Sequence, residues 1–304
     1  MALRGYLSIL GATLFWGVSA TVAKMLFTQH VDTLVLVQTR ITLSCLVLFL
    51  YFLLFRRDLL RIKLKDLYRF VLLGLVGIAG SNFTYYFTIR ETNVATAILL
   101  QYLAPVFVLV YAAFTREEEL TASKITAGVV SLAGCFLAIA GKDLSILRIS
   151  NIGLLAGFAS ACCWGFTNIW LRHVLKDYKV WTALIYAFLS ATVFWLFINP
   201  PWNLIAAHYS ADTWGTFFLF AVISILIPHS LYFSGMRYLT ASRGIITATF
   251  EPIVAIGSAY IILQEALSPV QLVGAALVIA AIALLQLRQD AAQTLKPEAA
   301  PFTT

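Results

Sequence analysis

Charge is what this chain has least of. Asp, Glu, Lys and Arg together make up 12% of its 304 residues, about half the share of an ordinary soluble domain. With 61% hydrophobic residues and a mean hydropathy of +0.89, there is too little polar surface to face water, so the surrounding solvent is lipid. No polar stretch is long enough for a soluble catalytic or nucleotide-binding domain. The Gly-x-x-x-x-Gly-Lys-Ser/Thr phosphate loop is missing; the nearest glycines, Gly134 and Gly141-Lys142, have the wrong spacing. Histidine is scarce, and His30, His173 and His208 fall at expected loop positions without metal or catalytic spacing. The four cysteines, Cys45, Cys135, Cys162 and Cys163, fall inside apolar runs and read as buried thiols. No cofactor, metal or enzymatic centre is expected.

What the chain does have is apolar runs of membrane length. A helix needs roughly 20 apolar residues to cross a bilayer core. The runs predict ten spans, at about 5–27, 33–55, 67–89, 93–114, 122–140, 152–175, 180–199, 213–236, 242–264 and 270–287. The first is too long, and too weakly flanked by positive charge, for a cleaved signal peptide, so it reads as a retained helix.

The net charge of +7 follows loop alternation and not a nucleic-acid face. With the amino terminus inside, the inner segments carry Arg4, Arg56, Arg57, Arg61, Lys63, Lys65, Arg69, Arg116, Lys124, Arg172, Lys176, Lys179, Arg237, Arg243, Arg288 and Lys296, which is 16 of the 21 Lys and Arg residues. Lys24, Arg90, Lys142 and Arg148 fall outside, and Arg40 lies within a span. This bias puts both termini in the cytoplasm, and the expected location is a bacterial inner membrane.

The second half repeats the first. Gly5 through Trp16-Gly17 returns as Gly153 through Trp164-Gly165, displaced by 148 positions. Tyr85-Tyr86, Pro105 and Glu118-x-Leu120-Thr121 return as Tyr232-Phe233, Pro252 and Glu265-x-Leu267-Ser268, displaced by 147. A unit of five spans crosses an odd number of times, so its copy enters the membrane inverted, as in many secondary transporters. The expected fold is therefore an all-α membrane protein of ten transmembrane helices in two inverted five-helix repeats. Residues 1–145 form the first repeat and 146–288 the second. A polar tail at 289–304, with Pro297 and Pro301, is expected to be a disordered cytoplasmic segment.

The order of these motifs resembles the EamA-like family of the drug/metabolite transporter superfamily. A Trp-Gly stands in spans one and six. Ala104-Pro105-Val106 and Glu251-Pro252-Ile253 stand in spans four and nine, and Glu-x-Leu-Thr/Ser opens spans five and ten. The resemblance runs over about residues 5–287 and is strongest at Leu263-Gln264-Glu265-Ala266-Leu267-Ser268. Arg116-Glu117-Glu118 departs from the family's usual glycine before the glutamate. The resemblance implies ten helices, two inverted repeats and movement of small metabolites, often amino acids, commonly outward.

Candidate binding residues follow from polar and aromatic groups placed deep in the spans. Trp16 and Trp164 fall mid-span, where indole N–H groups are costly unless they border a cavity or pack on a close backbone. Asn168 shares a helix face with Trp164. Asn82, Tyr85 and Tyr86 correspond to His229, Tyr232 and Phe233 at the offset of 147. Pro228 should loosen the helix beside His229, whose ring could meet a substrate carboxylate, carry a proton, or make one interhelical hydrogen bond. Gln101, Tyr102 and Glu251 flank the intramembrane prolines. Glu251 must be neutral, paired or wetted at that depth, and as a functional group it would take up a proton or hold a substrate ammonium. Arg40 would snorkel outward or pair with a carboxylate of protein or substrate. Glu118 and Glu265, near helix starts, read as caps or loop-ordering groups. Small residues four apart, Gly153/Gly157, Gly244/Ala248 and Ala255/Ala259, allow close helix contact.

The reading that unites these residues is a secondary transporter. It would export amino acids, aromatic ones included, through a central cavity by alternating access. Its partners are a small-molecule substrate and the lipid bilayer, with proton coupling and homo-oligomer assembly both open. The alternatives are an uptake carrier for small metabolites, a membrane enzyme acting on lipid-linked substrates, and a structural or sensory membrane protein.

Overall fold

A computed structural model describes residues 2–28, 32–92, 94–141, 150–206, 208–264 and 268–294. Among the described residues the regular structure is helical, and nine helical stretches are long and apolar enough to cross a membrane. They are α1 (Ala2–Thr28), α2 (Thr33–Phe55), α3 (residues 67–91), α4 (Val94–Gln101 and Ala104–Thr115), α5 (Ala122–Ala140), α6 (Asn151–Leu175), α7 (Val180–Ile198), α8 (Ala211–Met236) and α9 (Ala241–Ala248 and Glu251–Leu263). A further helix, α10 (Pro269–Thr294), has a shorter apolar part, Pro269–Leu285. It continues as helix past residue 288, where the polar tail was expected to begin; 295–304 lie outside the described residues. So do His30, Lys142, Arg148, Glu265, Leu267 and Lys296.

Apolar side chains cover these helices on nearly every face, as expected for rods bathed in lipid. What orders them is close packing. A Cβ at Gly134 would lie 2.8 Å from the carbonyl of Gly274, so α5 and α10 meet backbone to backbone. One at Gly17 would lie 2.6 Å from Cβ of Val254, seating α1 on α9. Gly274→Val should therefore force the α5–α10 seam apart at a cost of about 1–3 kcal/mol. A thermal midpoint in detergent unchanged by this substitution would contradict the packing.

Each half donates its first helix to the other half. Helix α1 packs on α8 and α9, while α6 packs on α3 and α4. Helices α2 and α7 pair with each other, and so do α5 and α10. Gly153 and Gly157 serve the α6 contact: a Cβ there would run into Thr92 and Leu100.

Four helices depart from regular α geometry, in matched places. Helix α3 carries a π-helical stretch, Leu73–Gly80, and α8 carries one at Val222–Leu226. In α8 the stretch ends two residues before Pro228. A proline lacks an N–H and crowds the carbonyl four residues back, here Ser224, and the wider turn absorbs both. In α3 the same widening falls on Gly74, Gly77 and Gly80. Helices α4 and α9 are each broken one turn before their prolines. The chain passes through tight i→i+3 turns, Leu103 N–H to Leu100 O (3.1 Å) and Phe250 N–H to Thr247 O (3.2 Å), and Pro105 and Pro252 then sit at the start of the next helix.

Two expectations need correction. Cys162 is exposed and Cys163 half-buried, so only Cys45 and Cys135 are the buried thiols expected; position 162 falls on the outer side of α6, away from the bundle. His173 belongs to the last turn of α6, not to a loop.

Candidate functional site

The π stretches and helix breaks surround a cluster of aromatic and polar groups drawn from both halves. Trp16 on α1 and Trp164 on α6, 148 positions apart in the sequence, meet edge to face with centroids 5.9 Å apart. Tyr232 on α8 completes a triangle, 5.3 Å from Trp16 and 5.4 Å from Trp164. His229, one turn earlier on α8, lies 5.2 Å from Trp16 and 5.5 Å from Phe188 of α7. Trp16 and Trp164 are half-buried, whereas Tyr232, His229 and Asn168 are buried.

The buried members of this cluster fix one another. The Tyr232 hydroxyl donates to Oδ1 of Asn168, and Asn168 Nδ2 donates to the Trp164 carbonyl at 2.7 Å. Asn168 therefore faces the bundle interior as expected, where it orients Tyr232. The hydrogen bond of His229 differs from the interhelical one anticipated. Its Nδ1 lies 3.0 Å from the Ile225 carbonyl within its own helix. A carbonyl only accepts, so Nδ1 carries the proton. The π stretch presents that carbonyl to the ring.

A second group is built on α2 and α3. Arg40 Nη2 donates to Asn82 Oδ1 at 2.9 Å, and the guanidinium lies 5.2 Å from the Tyr86 ring. Asn82 is itself held by its Nδ2 donating to the Ile78 carbonyl at 2.7 Å, inside the α3 π stretch. Arg40 thus turns inward and does not snorkel, because Asn82 and Tyr86 capture its head group. Tyr85, half-buried, packs on Tyr86 at 5.3 Å.

The third group forms where the broken helices cross. The Tyr102 hydroxyl, in the α4 break, donates to Glu251 Oε2 at 3.0 Å and lies 3.4 Å from the Ala248 carbonyl. Glu251, half-buried, is the first residue after the α9 break. Arg40 and Glu251 lie within electrostatic reach of each other without forming an ion pair, and the carboxyl also acts on Tyr85 and Tyr232. Gln101 is directed elsewhere. Its Nε2 bridges Ser81 (3.2 Å) and Ser160 (3.0 Å), tying α4 to α3 and α6. Ser81 and Ser160 carry no signal in the sequence that would have marked them.

One end of the bundle, which collects the basic loops, is tied across the two halves. Glu118, in the turn after α4, accepts from the Ser242 backbone N–H (3.4 Å) and from its hydroxyl, and pairs with Lys124 Nζ at 2.8 Å. Capping was expected of Glu118, but the helix it caps is α9 in the other half; Thr121 caps α5. Glu117 meets His173 Nε2 at 3.2 Å, Arg69 meets Asp177 at 2.6 Å, and Tyr178 donates to Asp66 at 2.6 Å. At the opposite end Gln38 and Asn199 exchange two hydrogen bonds between α2 and α7.

Burial raises the Glu118 carboxyl, but hydrogen bonds from Lys124, Ser242 and Thr240 outweigh it and hold the group below its ordinary 4.5. A carboxyl lowered on folding stabilises the folded state above its unfolded pKa, and that stabilisation is lost as pH falls through the folded value. Glu118→Gln leaves Lys124, 6% exposed, without a counter-charge. It should cost about 3 kcal/mol near neutrality and flatten the decline in melting temperature below about pH 4.5. Parallel melting curves for the two proteins across that range would contradict the assignment.

Two largely apolar clefts measure about 300 and 290 Å3. One is bordered by Leu48, Trp181, Leu226 and Leu231; the other runs along Leu99, Leu103, Phe136 and Leu154 and reaches Tyr102, the donor to Glu251. Neither is bordered by Trp16, Arg40 or Glu251.

The model of the EamA-like transporter family matches residues 3–140 and again 151–287. The uncharacterized inner membrane transporter YicL of Salmonella typhimurium is 24% identical over 289 residues, 93% of this chain and 95% of that protein. The riboflavin transporter ImpX of Fusobacterium nucleatum is 25% identical over 92% of this chain and 96% of its own length. The threonine/homoserine exporter RhtA of Escherichia coli is 24% identical over 68% and 67%. A solved crystal structure shares the fold with a TM-score of 0.76 at 18% identity, covering 96% of this chain and 99% of its own.

Proposed function

Because this chain belongs to the EamA-like transporter family, we propose that it is a secondary carrier that exports amino acids, aromatic ones among them, across a bacterial inner membrane. Its two halves are inverted repeats of five spans, with α10 as the tenth, and both termini lie in the cytoplasm. The exchange of α1 and α6 between halves supports this reading, as do π stretches and helix breaks at repeat-related positions. Discontinuous helices near the midplane are where such carriers place their sites.

The observation that carries the substrate reading is the meeting of Trp16 and Trp164, half-buried and backed by Tyr232. Indole faces this deep suit a flat or aromatic group and accept smaller side chains less tightly. Asn168 and His229 position the walls, and Glu251 supplies a group able to take up a proton when substrate leaves. The ties at the basic end seal the cytoplasmic side, so alternating access requires Glu118–Ser242 and Glu117–His173 to part.

The test is flux. Purified protein in liposomes, loaded in turn with phenylalanine, tryptophan, threonine and riboflavin, should release the aromatic amino acids faster than protein-free vesicles. Riboflavin is included because the aromatic walls would also take an isoalloxazine ring. Release of riboflavin alone would replace the amino-acid reading, and turnover of a lipid-linked substrate in detergent would replace the carrier.

A further inference from the structure

We propose that Arg40 is the residue that receives a substrate carboxylate, so that the favoured cargo is a small molecule with a free carboxylate. This assignment rests on the carrier reading above and names the residue that would recognise the cargo's carboxylate.

Arg40 lies about seven residues into α2, roughly 10 Å along the helix from its start. An arginine at that depth could send its guanidinium back to the interface, yet this one is held inward by Asn82 and the Tyr86 ring. The holding is itself braced, because Asn82 is fixed on the Ile78 carbonyl. Neither holder is an anion. Among the described residues no carboxylate oxygen lies within 4 Å of the guanidinium, and its one hydrogen bond goes to Asn82. The Nε atom is buried and has no partner. Arginine does not escape by losing its proton, so the fold maintains a positive charge with unused donors inside the membrane. Such residues mark substrate or ion pathways.

Glu251 does not neutralise it. Glu251 lies within electrostatic reach, but Tyr102 holds its carboxyl and no ion pair forms. Arg40 also acts electrostatically on His229, whose ring lies 5.2 Å from Trp16. A substrate carboxylate would accept from the free guanidinium donors. Guanidinium–carboxylate recognition is charge-assisted and geometrically selective, which a neutral amide reproduces poorly.

The test is equilibrium binding of phenylalanine, phenylalanine amide and 2-phenylethylamine to the purified protein in nanodiscs. It is run on the wild type, Arg40→Gln and Arg40→Lys. The wild type should favour phenylalanine over its amide by about tenfold or more. Arg40→Gln should bring that ratio close to one while amide affinity changes by less than about threefold. Arg40→Lys, which keeps the charge but not the fork, should fall between them and supplies the comparison if the glutamine variant does not fold. An unchanged ratio in either variant overturns the assignment, as does a wild type indifferent to the carboxylate; the carrier reading survives both. A wild type that binds none of the three probes overturns the amino-acid reading together with this one.

Discussion

Trp16→Ala is expected to weaken binding of an aromatic amino acid by roughly 10- to 100-fold, and Trp164→Ala by a similar factor. Each indole presents a half-buried face beside the other, with Tyr232 closing the triangle. Removing one ring forfeits about 1.5–3 kcal/mol of apolar contact with a substrate ring. The fold should persist, since neither ring is fully enclosed. Trp181, 40% exposed on the flank of the bundle, is the control: its alanine variant should bind as the wild type does. Trp16→Ala and Trp164→Ala proteins that keep wild-type affinity would mean that the substrate lies somewhere else.

Glu251→Gln is expected to remove the pH dependence of transport. The carboxyl stands at the α9 break, half-buried, with the Tyr102 hydroxyl as its donor at 3.0 Å. An ionised carboxylate at the centre of a bilayer costs at least a few kcal/mol unless something compensates it. Exchange of a proton for substrate would supply that compensation in alternate halves of the cycle. Flux driven by an inward proton gradient should then rise with the gradient in the wild type. It should be insensitive to it in the glutamine variant, over about two pH units around neutrality. Glutamine keeps the size and the acceptor for Tyr102, so the fold is not at risk. A glutamine variant still driven by the gradient would leave Glu251 as a structural group.

Most legible in the sequence were the motifs that occur twice at a near-constant offset. Trp16 and Trp164 share an offset of 148, Pro105 and Pro252 one of 147, and in the structure each pair falls at corresponding places. Polar groups without a repeat partner were harder to place. The position 147 residues before Glu251 is Ala104, so nothing indicated that Tyr102, in the other half, would be its donor. Gln101 read as a wall residue because it stands beside a break, but a break re-aims side chains, and this one points at Ser81 and Ser160.

Local motifs misled where the partner is distant. Glu-x-Leu-Thr reads as the start of its own helix, and Thr121 does cap α5, yet Glu118 caps a helix 124 residues further on. No spacing rule reaches that far. The π stretch of α3 was hidden for another reason: Gly74, Gly77 and Gly80 read equally well as a packing face. Arg40 read as outward or paired with a carboxylate by virtue of its depth alone; the fixed Asn82 turns it inward, where no carboxylate of the described residues pairs with it.

The most direct test of the central claim asks whether water reaches the space between the halves. Tyr85, half-buried beside Tyr86, is replaced by cysteine in a protein whose four native cysteines are removed. A membrane-impermeant thiol reagent is then applied from one side of the membrane at a time. Modification is expected from the side opposite the basic loops, slowed at least about tenfold by saturating substrate. A thiol at position 85 that reacts only with lipid-soluble reagents, unaffected by any substrate, would contradict it.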